Sequence, residues 1–453
     1  MNPAKPGTGS GLDAEEVRRR RVVPKALLVG VVAGILASAF RIALLRAESV
    51  RLELVARWHG PWGLAIALLL GAAGGGIAVW LVRRFSPEAG GSGIPYLKSV
   101  VRGERELHVR KLLPTKFFSG LAGIGGGLAL GREGPTIQMG GAAGLMVADW
   151  CGVAPGEGER RALMTAGAGA GLTAAFNAPL AGMVFVLEEL QVGLTPTVFV
   201  SAFLACVAGD IVARALAGGV PVFPLGPMPA PDFTALPGAL AVGLAAGFGG
   251  VLFNRSLIRT MDLFDRLAKW PPFWVGAATG AAMGAIGWLM PNLAGTGGGL
   301  VEEVLVGSVA LGWVPALLAA RFLMTVASYG SGPSGGIFIP VFVLGSLGGF
   351  CLGEVGRILL PAWFAHPEIF TVLGMGALFT AVVRAPLTGL VLMIELTGVY
   401  DFMLPLLVSC LVAYGVAEAL GDVPVYEALR RRAMSRLAIA PAGVSGADPA
   451  PGR

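Results

Sequence analysis

The chain has 453 residues, 55% of them hydrophobic and 14% charged, with 34 Lys and Arg against 28 Asp and Glu for a net charge of +6. At a mean hydropathy of +0.74 this composition cannot coat a water-soluble particle of that size, which excludes a soluble enzyme. Roughly 250 apolar residues at about 20 per crossing supply up to about a dozen membrane helices, so the composition implies an all-α polytopic membrane protein.

Residues 1–24 form a polar N-terminal segment in which Arg18, Arg19, Arg20 and Arg21, followed by Lys25, precede the first apolar window, Lys25 to Leu45. Arg430, Arg431, Arg432 and Arg436 follow the last one. Basic clusters beside a bilayer mark its cytoplasmic side, so both termini are expected to be cytoplasmic and the chain to be multi-pass in the cell inner (plasma) membrane. The same clusters are read as a topology signal and not as a nucleic-acid surface. Asp13, Glu15 and Glu16 are mixed with the arginines, which does not fit a cleaved signal peptide. Further apolar windows run from Trp62 to Val82 and from Gly238 to Leu257. The 70 glycines suit close helix contacts and backbone that leaves the helix inside protein.

Gly91-Ser92-Gly93-Ile94-Pro95 is the first glycine-proline interruption of apolar sequence, and Gly131-Arg132-Glu133-Gly134-Pro135 the second. Lys116, between them, is expected to be paired or to snorkel. Glu188 and Glu189 close a helix that starts at Pro179; periodicity alone leaves open a solvated pair at a helix end or a proton access point. Asp210 and Arg214 have the i,i+4 spacing of a structural ion pair. Six prolines between Gly219 and Pro237 mark a linker, taken as 218–236, between a first transmembrane repeat at 25–217 and a second at 237–436. The second half carries Gly335-Gly336-Ile337-Phe338-Ile339-Pro340, and 437–453 is a small-residue and proline-rich cytoplasmic tail, expected to be disordered. Cys151, Cys206, Cys351 and Cys410 have no metal or redox spacing and are read as inert thiols.

Self-comparison supports the division. At an offset of 207, Met164 to Glu188 lies over Thr371 to Glu395 with 11 of 25 positions identical, including Pro179/Pro386, Leu180/Leu387 and Glu188/Glu395. At an offset of 205, Gly131 pairs with Gly336, Pro135 with Pro340, Gly140 with Gly345 and Gly144 with Gly349. Duplicated halves that hold the substrate at their interface are a transporter pattern, usually with inverted topology. In both later interruptions the proline reads as part of a helix's first turn. A helix start within the membrane offers free N–H groups and a positive dipole end, an anion site without a formal cation.

The halves also diverge. Glu133 aligns with Phe338, Ser92 with Gly298 and Glu189 with Leu396. A carboxylate at an intramembrane helix start is costly when charged. Ionised, it occupies the anion site; protonated or displaced, it vacates it. The alternative is a local ion pair with Arg132 or a favourable pairing with the helix dipole.

At these residues the sequence resembles the CLC family of chloride channels and chloride/proton antiporters, in particular the bacterial exchangers. The resemblance runs from about Lys25 to Arg436 and is carried by the three glycine-proline signatures and by Phe176-Asn177-Ala178-Pro179-Leu180-Ala181-Gly182. It implies two inverted repeats with broken and re-entrant helices, and a homodimer with one pore per subunit. It further implies chloride binding by the hydroxyls of Ser92 and Tyr426 and the backbone amides of Ile337 and Phe338. Glu133 becomes the external gate, and Glu189, with Glu188 beside it, the internal proton-transfer group. Without the resemblance, Tyr426 reads as an interfacial aromatic anchor. Serine at position 92 points to chloride over nitrate, and the acid at 189 to antiport over a passive gated channel. The expected partners are chloride, protons and the bilayer, with no cofactor, metal or nucleotide-binding regulatory domain. Gly90-Gly91-Ser92-Gly93 also fits the Gly-x-Ser-Gly of intramembrane proteases, but His59, His108 and His366 lie in connections, leaving Ser92 without a base.

Overall fold

A computed structural model describes residues 9–439 except 59, 157, 191–194, 224, 226–230, 268 and 307. His59, Pro224, Pro227, Pro229, the side chains of Arg18, Arg19 and Arg20, and the tail from 440 onward lie outside the described residues. Seventeen α-helices occur in order: α1 (Gly9–Arg57), α2 (Pro61–Phe85), α3 (Ile94–Val101), α4 (Val109–Gly125), α5 (Glu133–Trp150), α6 (Gly158–Phe176), α7 (Pro179–Phe185), α8 (Pro196–Ala217), α9 (Leu236–Arg266), α10 (Pro272–Leu289), α11 (Gly298–Leu305), α12 (Val314–Gly330), α13 (Phe338–Leu359), α14 (Pro367–Val383), α15 (Pro386–Thr397), α16 (Met403–Ala419) and α17 (Val425–Ile439). Among the described residues there is no strand, only two isolated bridges, Gly91 with Ser334 and Gly131 with Gly336.

Among the described residues, six helices are long and apolar enough to cross a membrane: those at 21–57, 61–85, 196–217, 233–266, 311–330 and 338–359. This is half the number that composition allows, for a physical reason. Much of the remaining apolar sequence lies in helices buried by other helices, such as α5, α6 and α14. These need not match the bilayer in length or face lipid. α1 also passes through Pro24 without a break, so no element boundary falls where the polar segment was expected to end. Val22, Ala26 and Val29 are already buried against α5 and α6.

Glycine sets the approach of these buried helices. In the first half α5 and α6 meet at Gly140 and Gly167, and in the second half α13 and α14 meet at the equivalent Gly345 and Gly374. A Cβ on Gly345 would stand 2.7 Å from the Met375 Cα, which no side-chain rearrangement relieves. The small-residue pattern thus becomes backbone-to-backbone packing at matched positions of the repeat.

Both α6 and α14 end in matched breaks. α6 ends at Asn177 (φ 55) and α14 at Arg384 (φ 68), both left-handed, and each is followed by Ala-Pro and a new helix. The φ > 0 conformation is held by partners: Arg41 Nη1 donates to Asn177 Oδ1 at 3.1 Å, and Arg384 pairs with Glu418 and Asp422 at 3.3 Å each. The two bridges close the arrangement at its centre. Gly131 N donates to Gly336 O at 2.8 Å and Gly336 N to Gly131 O at 2.7 Å. These residues are equivalent at the 205 offset, and a reciprocal exchange between equivalents is the contact a two-fold axis makes. The result is an all-α fold of two inverted repeats whose broken helices α5 and α13 start from a common point.

Candidate functional site

Four element starts converge at that point. Ser92 lies in the turn before α3, between Gly91 (φ 61) and Gly93 (φ 80), whose left-handed conformations glycine alone adopts cheaply. Gly134, in the first turn of α5, packs so closely that a Cβ would come 2.7 Å from the Ser92 Cα and 2.9 Å from the Gly336 Cα. α13 begins at Phe338, and its ring lies 6.2 Å from that of Tyr426 in the first turn of α17. Ser92, Glu133, Ile337, Phe338 and Tyr426 are all fully buried.

The Glu133 carboxylate rests on the head of α13. Its Oε1 accepts the amides of Phe338 at 2.6 Å and Ile339 at 3.2 Å, while Oε2 has no partner. The side chain therefore occupies the donors that a membrane helix start offers to an anion. The sequence left its orientation undetermined. The family resemblance pointed to the amides of Ile337 and Phe338, whereas the pair engaged by Glu133 is Phe338 and Ile339, one residue further into the helix. Arg132 makes no hydrogen bond or contact ion pair with Glu133, and the two interact only as charges at longer range.

The other side of the convergence is formed by hydroxyls. The Ser92 amide donates to Tyr329 Oη at 3.3 Å, and that hydroxyl in turn lies 3.5 Å from Ser92 Oγ. The Tyr426 hydroxyl is buried with no hydrogen-bond partner among the described residues. An unpartnered buried hydroxyl carries the full cost of desolvation unless something fills its place. Tyr329 was missed in the sequence; its signal was a lone tyrosine just ahead of the Gly335 to Pro340 punctuation. Lys116 departs from expectation, since it neither pairs with an acid nor snorkels. It is fully buried and donates to the carbonyls of Ala89 at 3.0 Å and Gly91 at 2.7 Å, bracing the turn that presents Ser92.

Glu188 and Glu189 lie in a π turn, Val186–Leu190, that continues α7. They part company there. Glu189 is 8% exposed and pairs with Lys98 of α3 at 2.7 Å, so it is not a solvated residue at a helix end. Lys98 was also missed, although a charge inside the short apolar run Ile94 to Val101 was the available signal. Glu188, expected beside Glu189 in proton transfer, instead accepts from the first turn of α15: Leu387 N at 3.1 Å, and Thr388 N and Oγ1 at 2.7 Å each. Asp210 and Arg214 form the expected pair at 2.6 Å.

Among the described residues no hydrogen bond joins Ser92 to a histidine, lysine or carboxylate, and there is no cluster of potential metal ligands. The arrangement is suited to holding a desolvated anion between backbone amides and hydroxyls, with one carboxylate competing for the same amides.

Known proteins share the architecture. The chain is 38% identical over 417 residues to the H(+)/Cl(-) exchange transporter ClcA of Vibrio cholerae, covering 90% of this chain and 89% of that protein. It is 35% identical over 420 residues to the transporter of the same name from Salmonella agona, covering 91% and 88%. The crystal structure of a slow cyanobacterial Cl-/H+ antiporter superposes with a TM-score of 0.88 at 34% identity, covering 92% of this chain and 98% of that one. Because the sequence profile of the voltage gated chloride channel family also matches residues 74–418, spanning every element of the convergence except Tyr426, the chain belongs to that family, the CLC proteins.

Proposed function

We propose that this protein is a secondary active antiporter that exchanges chloride for protons, with Glu133 as the group both ions use. The single observation that carries the reading is the hydrogen bonding of Glu133 Oε1 to the Phe338 and Ile339 amides. While ionised, the carboxylate satisfies those donors itself. Once it takes a proton it is a weaker acceptor, and chloride can displace it. Release of chloride and return of the carboxylate then require loss of the proton.

Chloride is held between the amides at the head of α13 and the hydroxyls of Ser92 and Tyr426; the buried, unpartnered Tyr426 Oη supports this assignment. Glu189 passes protons on the internal side. The naming of its relatives as exchangers and the presence of an acid at 189 favour coupled exchange over a passive gated channel. Both termini are cytoplasmic, on the basic clusters at the two ends, and the protein works as a homodimer in the inner membrane, on the family resemblance. Residues 25–217 and 237–436 are the two repeats, on the matched helix breaks at Asn177 and Arg384.

Paired chloride and proton fluxes in sealed vesicles test the reading. A chloride gradient is expected to drive protons uphill in the native protein. In Glu189→Gln proton movement should stop while chloride still moves, and in Glu133→Gln proton movement should also stop. Chloride flux without protons in the native protein would instead establish a channel.

A further inference from the structure

Glu188 has a counterpart. Glu395, its equivalent at the 207 offset, accepts from Leu180 N at 3.1 Å and Ala181 N at 2.7 Å in the first turn of α7. Glu188 accepts from Leu387 and Thr388 in the first turn of α15. The donors are equivalent at the same offset, so each half's acid closes the other half's helix start. Those N–H groups have no acceptor within their own helix and lie at its positive end, so an ionised carboxylate is the partner they favour. The exchange joins the two short helices that come after the left-handed breaks at Asn177 and Arg384.

The symmetry fails in the turn that carries Glu188. α15 remains a regular helix through Glu395 to Thr397, whereas the first half enters the π turn at Val186. A π turn inserts a residue and re-aims the side chains beyond it, and such turns concentrate at functional sites. Here Glu188 faces α15 while Glu189 faces Lys98 on α3; in the second half the equivalent residue is Leu396, buried and uncharged. Successive residues of one turn are thus fastened in two directions, to opposite halves of the molecule.

We propose that Glu188 and Glu395 form a reciprocal clasp that holds the π turn in register and so aims Glu189, making both of them positioning residues. The inference rests on the reading of Glu189 as the internal proton-transfer group. Glu188 has three donors on its two oxygens; a proton would make it a weaker acceptor for them and loosen the clasp. Glu395 is the discriminating member. No hydrogen bond or ion pair joins it to Glu189 or Lys98, so it can influence proton transfer only through the clasp.

The experiment is paired chloride and proton flux from reconstituted Glu395→Ala, Glu395→Gln and Glu188→Gln, beside native protein and Glu189→Gln. In Glu395→Ala the proton-to-chloride ratio should fall by about threefold or more with chloride flux retained. Both glutamine variants should keep more of the native ratio than Glu395→Ala, because the amide oxygen still accepts the N–H groups of one carboxylate oxygen although its NH2 cannot replace the other. A native ratio in Glu395→Ala overturns the proposal, and so does a Glu188→Gln as fully uncoupled as Glu189→Gln, since that would make Glu188 a proton carrier. If Glu395→Ala does not assemble, Thr388→Val removes one donor from Glu188 and carries the same expectation at smaller size; native coupling there also overturns it. Should native protein move chloride without protons, the reading of Glu189 fails by itself. The clasp is then judged by the structure of Glu395→Ala, in which the π turn should relax and Glu189 leave Lys98; an unchanged turn would refute it.

Discussion

Glu133 owes its role to the atoms it sits on. A carboxylate buried in a membrane protein needs donors, and those it finds are two amides at the head of α13 on the opposite repeat. The donors are present because a helix starts there, and the acid reaches them because its own helix starts at the same point. Neighbouring residues shape the pocket in ways that single substitutions can read. Lys116 is expected to be structural: Lys116→Met leaves the Ala89 carbonyl without its donor at a cost of about 1–3 kcal/mol, while the Gly91 carbonyl loses one donor and keeps the Gly335 amide at 3.0 Å. It should lower the thermal unfolding midpoint in detergent and weaken halide binding measured by calorimetry. Unchanged binding would show that the Ser92 turn stands without it. Lys98 faces Glu189 at 2.7 Å. Lys98→Met removes the charge that favours the ionised acid, so Glu189 should hold its proton to higher internal pH. Exchange measured against internal pH should shift upward, while its dependence on external pH, set at Glu133, stays in place.

At the scale of elements, matched packing and one anchored helix position the site. Gly345→Ala should force α13 and α14 apart at the contact with Met375, a loss of about 1–3 kcal/mol typical of overpacking, seen as a lower unfolding midpoint. Gly348, one face away with nothing near its missing Cβ, should tolerate the same change. α17 presents Tyr426 and is held by ion pairs: Arg430 with Glu104 at 2.7 Å, Glu427 with Arg102 at 3.8 Å, and Arg432 with Asp262 and Asp265. Hydrogen bonds from Arg430 hold the Glu427 carboxyl down at about 2. A depressed carboxyl stabilises the folded state above its unfolded value, about 4.3, and that contribution is lost as pH falls towards 2. The seat of Tyr426 should therefore be indifferent to pH from neutral down to about 4.3. A fluorophore on α17 should report no movement across that range; a transition near pH 6 would contradict this.

Across the whole molecule, what was legible in the sequence was whatever the duplication marks. Glycine-proline punctuation at matched offsets located the helix starts, and divergence between the halves picked out Ser92, Glu133 and Glu189. Contacts between distant segments were not legible. Lys98 and Glu189 are 91 positions apart, and Ser92 and Tyr329 are 237 apart, so no periodicity links them. The π turn was hidden for a different reason: Val186-Leu187-Glu188 has the same order of two apolar residues and an acid as Met393-Ile394-Glu395 in the regular α15, and neither stretch announces its backbone. The clasp was half visible, since Glu188 and Glu395 aligned, but an acid at a helix end reads as solvated until its partner is seen.

The central claim is that the Glu133 carboxylate and a halide compete for the amides of Phe338 and Ile339. The most direct measurement is anomalous diffraction from bromide-soaked crystals of the native protein and of Glu133→Ala. The account predicts bromide at those two amides in Glu133→Ala and the carboxylate there in native protein. Bromide on the same amides beside an unmoved native Glu133, or no bromide there in Glu133→Ala, would contradict it.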